Sequence, residues 1–336
     1  MPSIRRILVA VRAIDANSLP TVLKAAQIAR ACRAQVEIFH CLDSSVYPDL
    51  EGIGEHNLLE LERILQQRVV QRLEDIATRV RRHNIKVNVR AEWDFPVYEA
   101  IVRRAVRIKA DLIIASVRPG RHRLPSLMRL TDWELVRLSP VAVLLAKDPH
   151  PYRHPAVLAA VDPTHAFAKP SGLDKQILQL GRALSQKLRG SLHAVHAYAR
   201  VPGGSFPKGA ITPALIEQVQ QDAERAARIM FDRILKSSPI TRAHRYLIAR
   251  DPVNAIAEAA RNSCCAIAVL GGISRSGLKS LLIGNTAERI LDDLRCDVLV
   301  VKPVHFRNAV PRAVRGVRLL ASPLTGSRGY PLLPVR

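Results

Sequence analysis

The residues with the clearest chemical potential lie late in the chain, in GGISRSGLKSLLIGNTAE at positions 271–288. Gly271, Gly272, Gly277 and Gly284 lack a Cβ, so backbone amides there can come close to an anion. A helical pattern opens at Asn285 and Thr286. Asn285 is a good helix cap, and the free N–H groups and dipole of a helix start favour a phosphate. Arg275 and Lys279 add positive charge. The same glycines also suit a tight turn with no ligand, and spacing alone leaves both readings open. A P-loop is a third reading. Gly272 and Gly277 have its separation, but Leu278 is inserted ahead of Lys279, and the segment follows the fourth strand of its unit rather than the first. That reading is set aside.

The remaining reactive residues carry less. His40 and His196 occupy the same place at the end of a second strand and read as structural. His193 and His196 have opposite parity on one strand, which argues against joint metal binding. The five cysteines, Cys32, Cys41, Cys264, Cys265 and Cys296, form no Cys-x-x-Cys pair and no Cys/His cluster with zinc spacing. An odd, sparse set points to the reducing cytoplasm. Cys264 and Cys265 precede a buried strand and read as packing residues. No Ser-His-Asp order and no paired acids fall in strand-end loops, so no enzyme activity and no metal are expected.

These residues sit in a repeated framework. ILVAVR (7–12) parallels VLAAVD (157–162), and VEIFH (36–40) parallels LHAVH (192–196). ADLIIAS (110–116) parallels CAIAVLG (265–271) at an offset of 155 that also matches Thr131 to Thr286 and Lys147 to Lys302. Each copy alternates short apolar strands with helical patterns. The spacing predicts strands near 6–12, 35–42, 86–91, 111–116 and 141–146, then 156–162, 191–198, 242–248, 265–271 and 297–302. Helices are predicted near 18–33, 55–83, 96–108 and 131–138, then 170–188, 212–237, 253–262 and 285–294. Strands apolar throughout, such as 141–146, belong in a parallel sheet covered on both faces. The fold class is therefore α/β, with two tandem doubly wound parallel sheets. Such sheets bind ligands at the carboxyl ends of their strands, where the strand order reverses.

Pro149, Pro151 and Pro155 mark the link between copies, giving units at 1–150 and 151–304. Residues 305–336 hold six arginines and no acid, and read as a basic, flexible tail. The 336 residues suit two domains. Residues 1–12 read as a first strand rather than a leader, since Arg12 ends the apolar run. No run approaches the ~20 apolar residues of a membrane helix. The net charge of +22 is spread over both copies and the tail, which leaves RNA or another polyanion as a candidate partner. Aromatic residues at 4% supply a base-stacking platform poorly. The patterns at 55–83 and 212–237 read as core-facing helices that could also wall an apolar cavity.

Three stretches carry a resemblance: GNTAE (284–288), LRCDVLVVKP (294–303) and TDWELVR (131–137). With these, the repeat unit resembles the universal stress protein family over residues 4–303. The resemblance implies, in each unit, a five-stranded parallel sheet of order 3-2-1-4-5. It implies a non-enzymatic stress-response protein that binds a small ligand or a partner. ATP-binding members carry Gly-x-x-Gly, nine residues, then Gly with Ser or Thr, and an Asp ending the first strand on the adenine side. Gly271 and Gly284 match the outer spacing and Asp162 matches the acid, whereas Ser274 replaces the middle glycine and Asn285 the hydroxyl residue. In the first unit Arg12 stands in place of the acid, and Ser116, Pro119, Arg129 and Leu130 replace the motif. The resemblance thus leaves ATP open in the second unit, at Asp162, Gly271, Gly272, Arg275, Gly277, Gly284, Asn285 and Thr286, with weak hydrolysis as an alternative. It implies no ATP in the first, where Arg12 either pairs with an acid, the favoured reading, or holds a different anion. Fifth strands often join such units, so 141–146 and 297–302 are expected to pair within the chain. A further homodimer stays open.

Overall fold

A computed structural model describes residues 4–12, 14, 19–43, 55–117, 130–164, 172–199, 212–272 and 293–313. The first half runs β1 (Arg6–Ala10), α1 (Pro20–Cys32), β2 (Gln35–Leu42), α2 (Glu55–Arg81), β3 (Val87–Trp93), α3 (Val97–Arg107), β4 (Leu112–Ser116), α4 (Leu130–Leu138) and β5 (Ala142–Ala146). The second runs β6 (Ala156–Ala160), α5 (Leu173–Lys187), β7 (Ser191–Ala197), α6 (Pro213–Leu235), β8 (Arg245–Ile248), α7 (Pro252–Asn262), β9 (Cys265–Gly271) and β10 (Asp297–Val301). Local chemistry sets several starts. Pro occupies the first turn of α1, α6 and α7, where its missing N–H is not needed. Thr212 and Asp251 cap α6 and α7 through their side chains. The strand expected over 242–248 is shorter, because 242–244 form a 3₁₀ turn. Of the helix expected over 285–294, residues 285–292 lie outside the described residues.

The strand order is β3-β2-β1-β4-β5-β10-β9-β6-β7-β8. Each half keeps the order 3-2-1-4-5, and all pairings within a half are parallel. The two sheets are one: β5 and β10 pair antiparallel, with Val143, Leu144 and Leu145 opposite Val300, Leu299 and Val298. Joining the fifth strands removes an apolar edge from each half. Helices α1, α2, α5 and α6 bury Ile28, Leu73, Ile177 and Phe231 on one face of the sheet. Helices α3, α4 and α7 bury Val102, Leu135 and Ala259 on the other.

The seam carries a buried charge. Asp297, at the head of β10, is fully buried, and Lys24 of α1 is 1% exposed. The Lys24 ammonium donates to Asp297 Oδ2, and Tyr152 Oη donates to the same oxygen at 2.5 Å. The N–H groups of Lys147 and Asp148 donate to Oδ1 at 2.8 and 3.0 Å. Tyr152 is fixed in turn by a reciprocal pair of hydrogen bonds with Gln27 of α1. One carboxylate of the second half therefore gathers a helix, a strand end and the linker of the first.

The start of the basic tail does not leave the body. Val310 is buried, and the Pro311 carbonyl lies 3.4 Å from Arg103 Nη1 of α3, which donates to it. Arg103 is itself buried, donating also to Asp94 at 2.6 Å and Glu99 at 2.8 Å. Residues 314–336 lie outside the described residues.

Removing one partner of a buried pair leaves the other charged and desolvated, which costs about 3–5 kcal/mol. Asp297→Ala is expected to lower unfolding stability by about that amount in urea titration, and Lys24→Met in the same background to recover part of it. Equal stability of Asp297→Ala and wild type would refute the role given to this carboxylate.

Candidate functional site

In the second half, β6 and β9 are neighbours paired in parallel, with Ala159 opposite Val269. Three residues further on, this register brings Asp162 level with Gly272, beyond the carboxyl ends of both strands. β6 lies between β7 and β9, so this is the point where the strand order reverses. The Asp162 N–H donates to Asp174 Oδ1 at 3.0 Å, in the first turn of α5. Its carboxylate accepts from Thr164 Oγ1 at 2.8 Å. The side chain is half-buried. The backbone link to Asp174 holds Asp162 at the helix start, while among the described residues the carboxylate accepts from one hydroxyl.

The structure therefore brings Asp162, Gly271 and Gly272 together. Arg275, Gly277, Gly284, Asn285 and Thr286 lie outside the described residues, as do Ser274 and Lys279. The two described glycines have packing reasons of their own. A Cβ on Gly271 would lie 2.8 Å from Leu173 Cδ2 and 3.2 Å from Ile177 Cδ1, so glycine lets α5 press onto the end of β9. A Cβ on Gly272 would meet Val300 Cγ1 at 2.7 Å and Lys302 Nζ at 3.1 Å. The Gly272 N–H donates to Val301 O at 2.8 Å and is not directed at a ligand.

The first half shows the same framework with different contents. Val117 N–H donates to Ala146 O at 3.2 Å, the counterpart of the Gly272–Val301 bond at the offset of 155. Arg12 holds the place of Asp162, and its Nη2 lies 3.3 Å from Asp132 Oδ1 on α4. The expected pairing is thus present. Ser116 ends β4, whereas Pro119 and Arg129 lie outside the described residues. The strand-end histidines make matched contacts: His40 Nδ1 lies 2.7 Å from Val11 O, and His196 Nδ1 lies 3.3 Å from Val161 O. Both pin the first strand to the second, in keeping with a structural role. His193 faces away from this end. Its ring lies tilted against that of His244 with centroids 4.0 Å apart, and its Nε2 is 2.8 Å from Ser191 Oγ. Burial, reinforced by His244, pulls its pKa down to about 4.

Two lysines near the site were legible as a repeat but not as a device. Lys302 Nζ donates to Arg137 O at 3.1 Å, in the last turn of α4. Lys147 Nζ donates to Leu294 O, just ahead of β10. Each half thus sends a lysine across the seam to a backbone carbonyl of the other. At the end of α4 this places a cation where the helix dipole favours one. Lys302 is buried beside Gly272 and stacks over Phe306 at 4.5 Å. Burial, helped by the charge of Arg137, lowers its pKa to about 8.

That shift has a sign. Between about pH 8 and the unfolded value of 10.5 the unfolded chain binds more protons at this residue, so stability rises with pH across the window. Lys302→Met is expected to flatten the rise, a difference of roughly 3 kcal/mol at full extent. Parallel urea midpoints at pH 8 and pH 10 for wild type and variant would show otherwise.

A model of the universal stress protein family matches residues 3–147 and 156–302. Universal stress protein E of Salmonella typhi is 28% identical over 236 residues, covering 67% of this chain and 71% of its own. Its namesake in Escherichia coli K12 is 27% identical over 232 residues, with the same coverage. Among solved structures, a functionally unknown protein from Pseudomonas aeruginosa PAO1 superposes with a TM-score of 0.69 at 22% identity, over 90% of this chain and 94% of that one. A universal stress protein from Archaeoglobus fulgidus does so with 0.60 at 15% identity, over 88% and 98%. These likenesses support the tandem fold. No helix among the described residues is long and apolar enough to cross a membrane.

Proposed function

The chain belongs to the universal stress protein family, and from that premise we propose that it is a non-enzymatic stress-response protein. In this reading the second half takes one phosphorylated small ligand, and the first half is a closed scaffold. One observation carries the proposal. At the end of the first strand of each half, Arg12 is neutralised by Asp132, whereas Asp162 is held by its backbone and its carboxylate is engaged, among the described residues, by one hydroxyl.

A nucleotide is the ligand class to which these residues fit in part. Asp162 supplies an acceptor for an N–H or O–H donor of a base or sugar. A phosphate would fall to the stretch containing Arg275, Gly277, Gly284, Asn285 and Thr286. The glycines at 271 and 272 are accounted for by packing and lend this reading nothing. The two halves at 3–147 and 156–302 act in this reading as one body, since Asp297 and the crossing lysines tie them together.

Equilibrium titration with labelled ATP tests this. One site per chain is expected. Asp162→Ala removes a hydrogen bond to a charged acceptor and is expected to weaken binding roughly tenfold or more. Arg12→Ala is expected to change nothing. Absence of saturable binding at millimolar ATP removes the nucleotide and turns the search to co-purified ligands by native mass spectrometry. ADP released in proportion to enzyme and time would overturn the non-enzymatic assignment.

A further inference from the structure

Away from the carboxyl-end crevice, at the opposite end of the second half, Cys265 opens β9 and Cys296 stands immediately ahead of β10. The two strands pair in parallel, with Asp297 opposite Ile267. Continuing that register places Cys296 opposite Ala266, one residue from Cys265. Regular alternation would put Cys265 on the same face as Ile267 and so, with Asp297 level with Ile267, on the face opposite to Cys296. The strand is not regular there. The pairing of β6 with β9 shifts between Ala156–Cys265 and Val157–Ile267, leaving Ala266 as an extra residue. A bulge of this kind re-aims a side chain. Ile267 then packs on the α5 face, while Cys265 and Cys296 both pack on the α7 face. The bulge thus turns the two thiols to one face on neighbouring strands, near enough for each to shift the titration of the other.

With strands ~4.8 Å apart and a rise of ~3.3 Å, diagonal neighbours have Cα atoms ~6 Å apart, inside the range a disulfide spans. Cys296 is buried and Cys265 half-buried. The neighbouring Cys265 thiol, aided by the Lys147 charge, draws the Cys296 pKa down against burial and the carboxylate of Asp297. Two thiols on one face of neighbouring strands, one of them with its pKa drawn down, are the arrangement of a peroxide-sensitive pair.

We propose that Cys265 and Cys296 form a dithiol that a hydroperoxide oxidises to a disulfide, making this end of the second half a modification site. The Cys296 sulfur attacks one peroxide oxygen, the O–O bond breaks, and the other oxygen leaves with a proton as water or an alcohol. Cys296 is then a sulfenic acid. The Cys265 sulfur attacks it, forming the S–S bond, and the hydroxyl leaves with the Cys265 proton as water. Two thiols lose two electrons and one hydroperoxide gains them.

The site needs no ligand in the carboxyl-end crevice, so it stands or falls apart from the proposed function. The intact protein is treated with hydrogen peroxide, alkylated without reduction and digested with trypsin. The tryptic peptides 262–275 and 296–307 are expected to appear linked, two hydrogens lighter than their sum, and to separate with dithiothreitol. Cys264, which is exposed, shares the first peptide. The link is therefore expected to survive Cys264→Ser and to vanish in Cys265→Ser, where Cys296 instead takes up dimedone. Both peptides recovered alkylated, or a bond between Cys264 and Cys265, would overturn the proposal. So would loss of the link in Cys264→Ser, and the wild-type and Cys264→Ser arms decide even if Cys265→Ser fails to fold.

Discussion

A single carboxylate decides how the two halves sit together. Asp297 is out of water, and four hydrogen-bond donors reach it: Lys24, Tyr152 and two backbone amides. An ion pair in such surroundings gains little net stability over a well-packed apolar pair, because both partners give up hydration. What it adds is directional. The seam of β5 and β10 is Val143-Leu144-Leu145 against Leu299 and its two valine neighbours, a surface that would tolerate a slip. A slip of the pair would strand the Asp297 charge in an apolar layer, and a shift of even one residue turns every side chain to the other face. The hydrophobic seam supplies the driving force, and the carboxylate selects the register.

That selection explains why a duplicated unit is not symmetrical. The counterpart of Asp297 at the offset of 155 is Ala142, so the first half has no such anchor of its own. The lysines do obey the symmetry. Lys147 and Lys302 cross the seam in opposite directions to carbonyls of the other half. A cation on the last carbonyls of a helix meets the negative end of its dipole and fills acceptors the helix leaves unpaired. The shared device therefore maintains the joint, and the unshared one sets its register. With the joint secured on both sides, the two crevices can differ, and they do: the first holds the Arg12–Asp132 pair where the second has Asp162.

The legibility of the chain follows from where the physics is local. Strands apolar on both faces and helices with 3.6-residue spacing write their own pattern, and nearly every element among the described residues lies within a few residues of its expected place. The joining of fifth strands was readable through the family resemblance, with the need to cover an apolar edge in support. Asp297 was not readable in its role, since its partners lie up to 273 residues away. An acid heading an otherwise apolar strand, with alanine at the repeat position, was the available signal. The bulge at Ala266 left no trace either, because an extra residue in a ladder is visible only against the neighbouring strand. The start of the basic tail was misjudged for a related reason. Composition marks residues 305–313 as solvated, yet Val310 finds an apolar site and Pro311 a buried arginine.

Glycine was the least informative residue at the candidate site, although it first drew attention there. A glycine at the end of a strand is demanded both by a ligand that approaches the backbone and by a helix that packs against it. At Gly271 the helix suffices, and at Gly272 the neighbouring strand does. A residue discriminates only when packing does not require it. Asp162 meets that condition: its amide, not its carboxylate, is what ties it to α5, and an apolar or neutral residue would preserve that bond equally well. Placing an ionised group at the end of a strand beside a helix start costs desolvation unless solvent or a ligand compensates it. The contrast with Arg12, whose charge is met within its own half, is the ground on which Asp162 is proposed as the ligand-facing group of the second half.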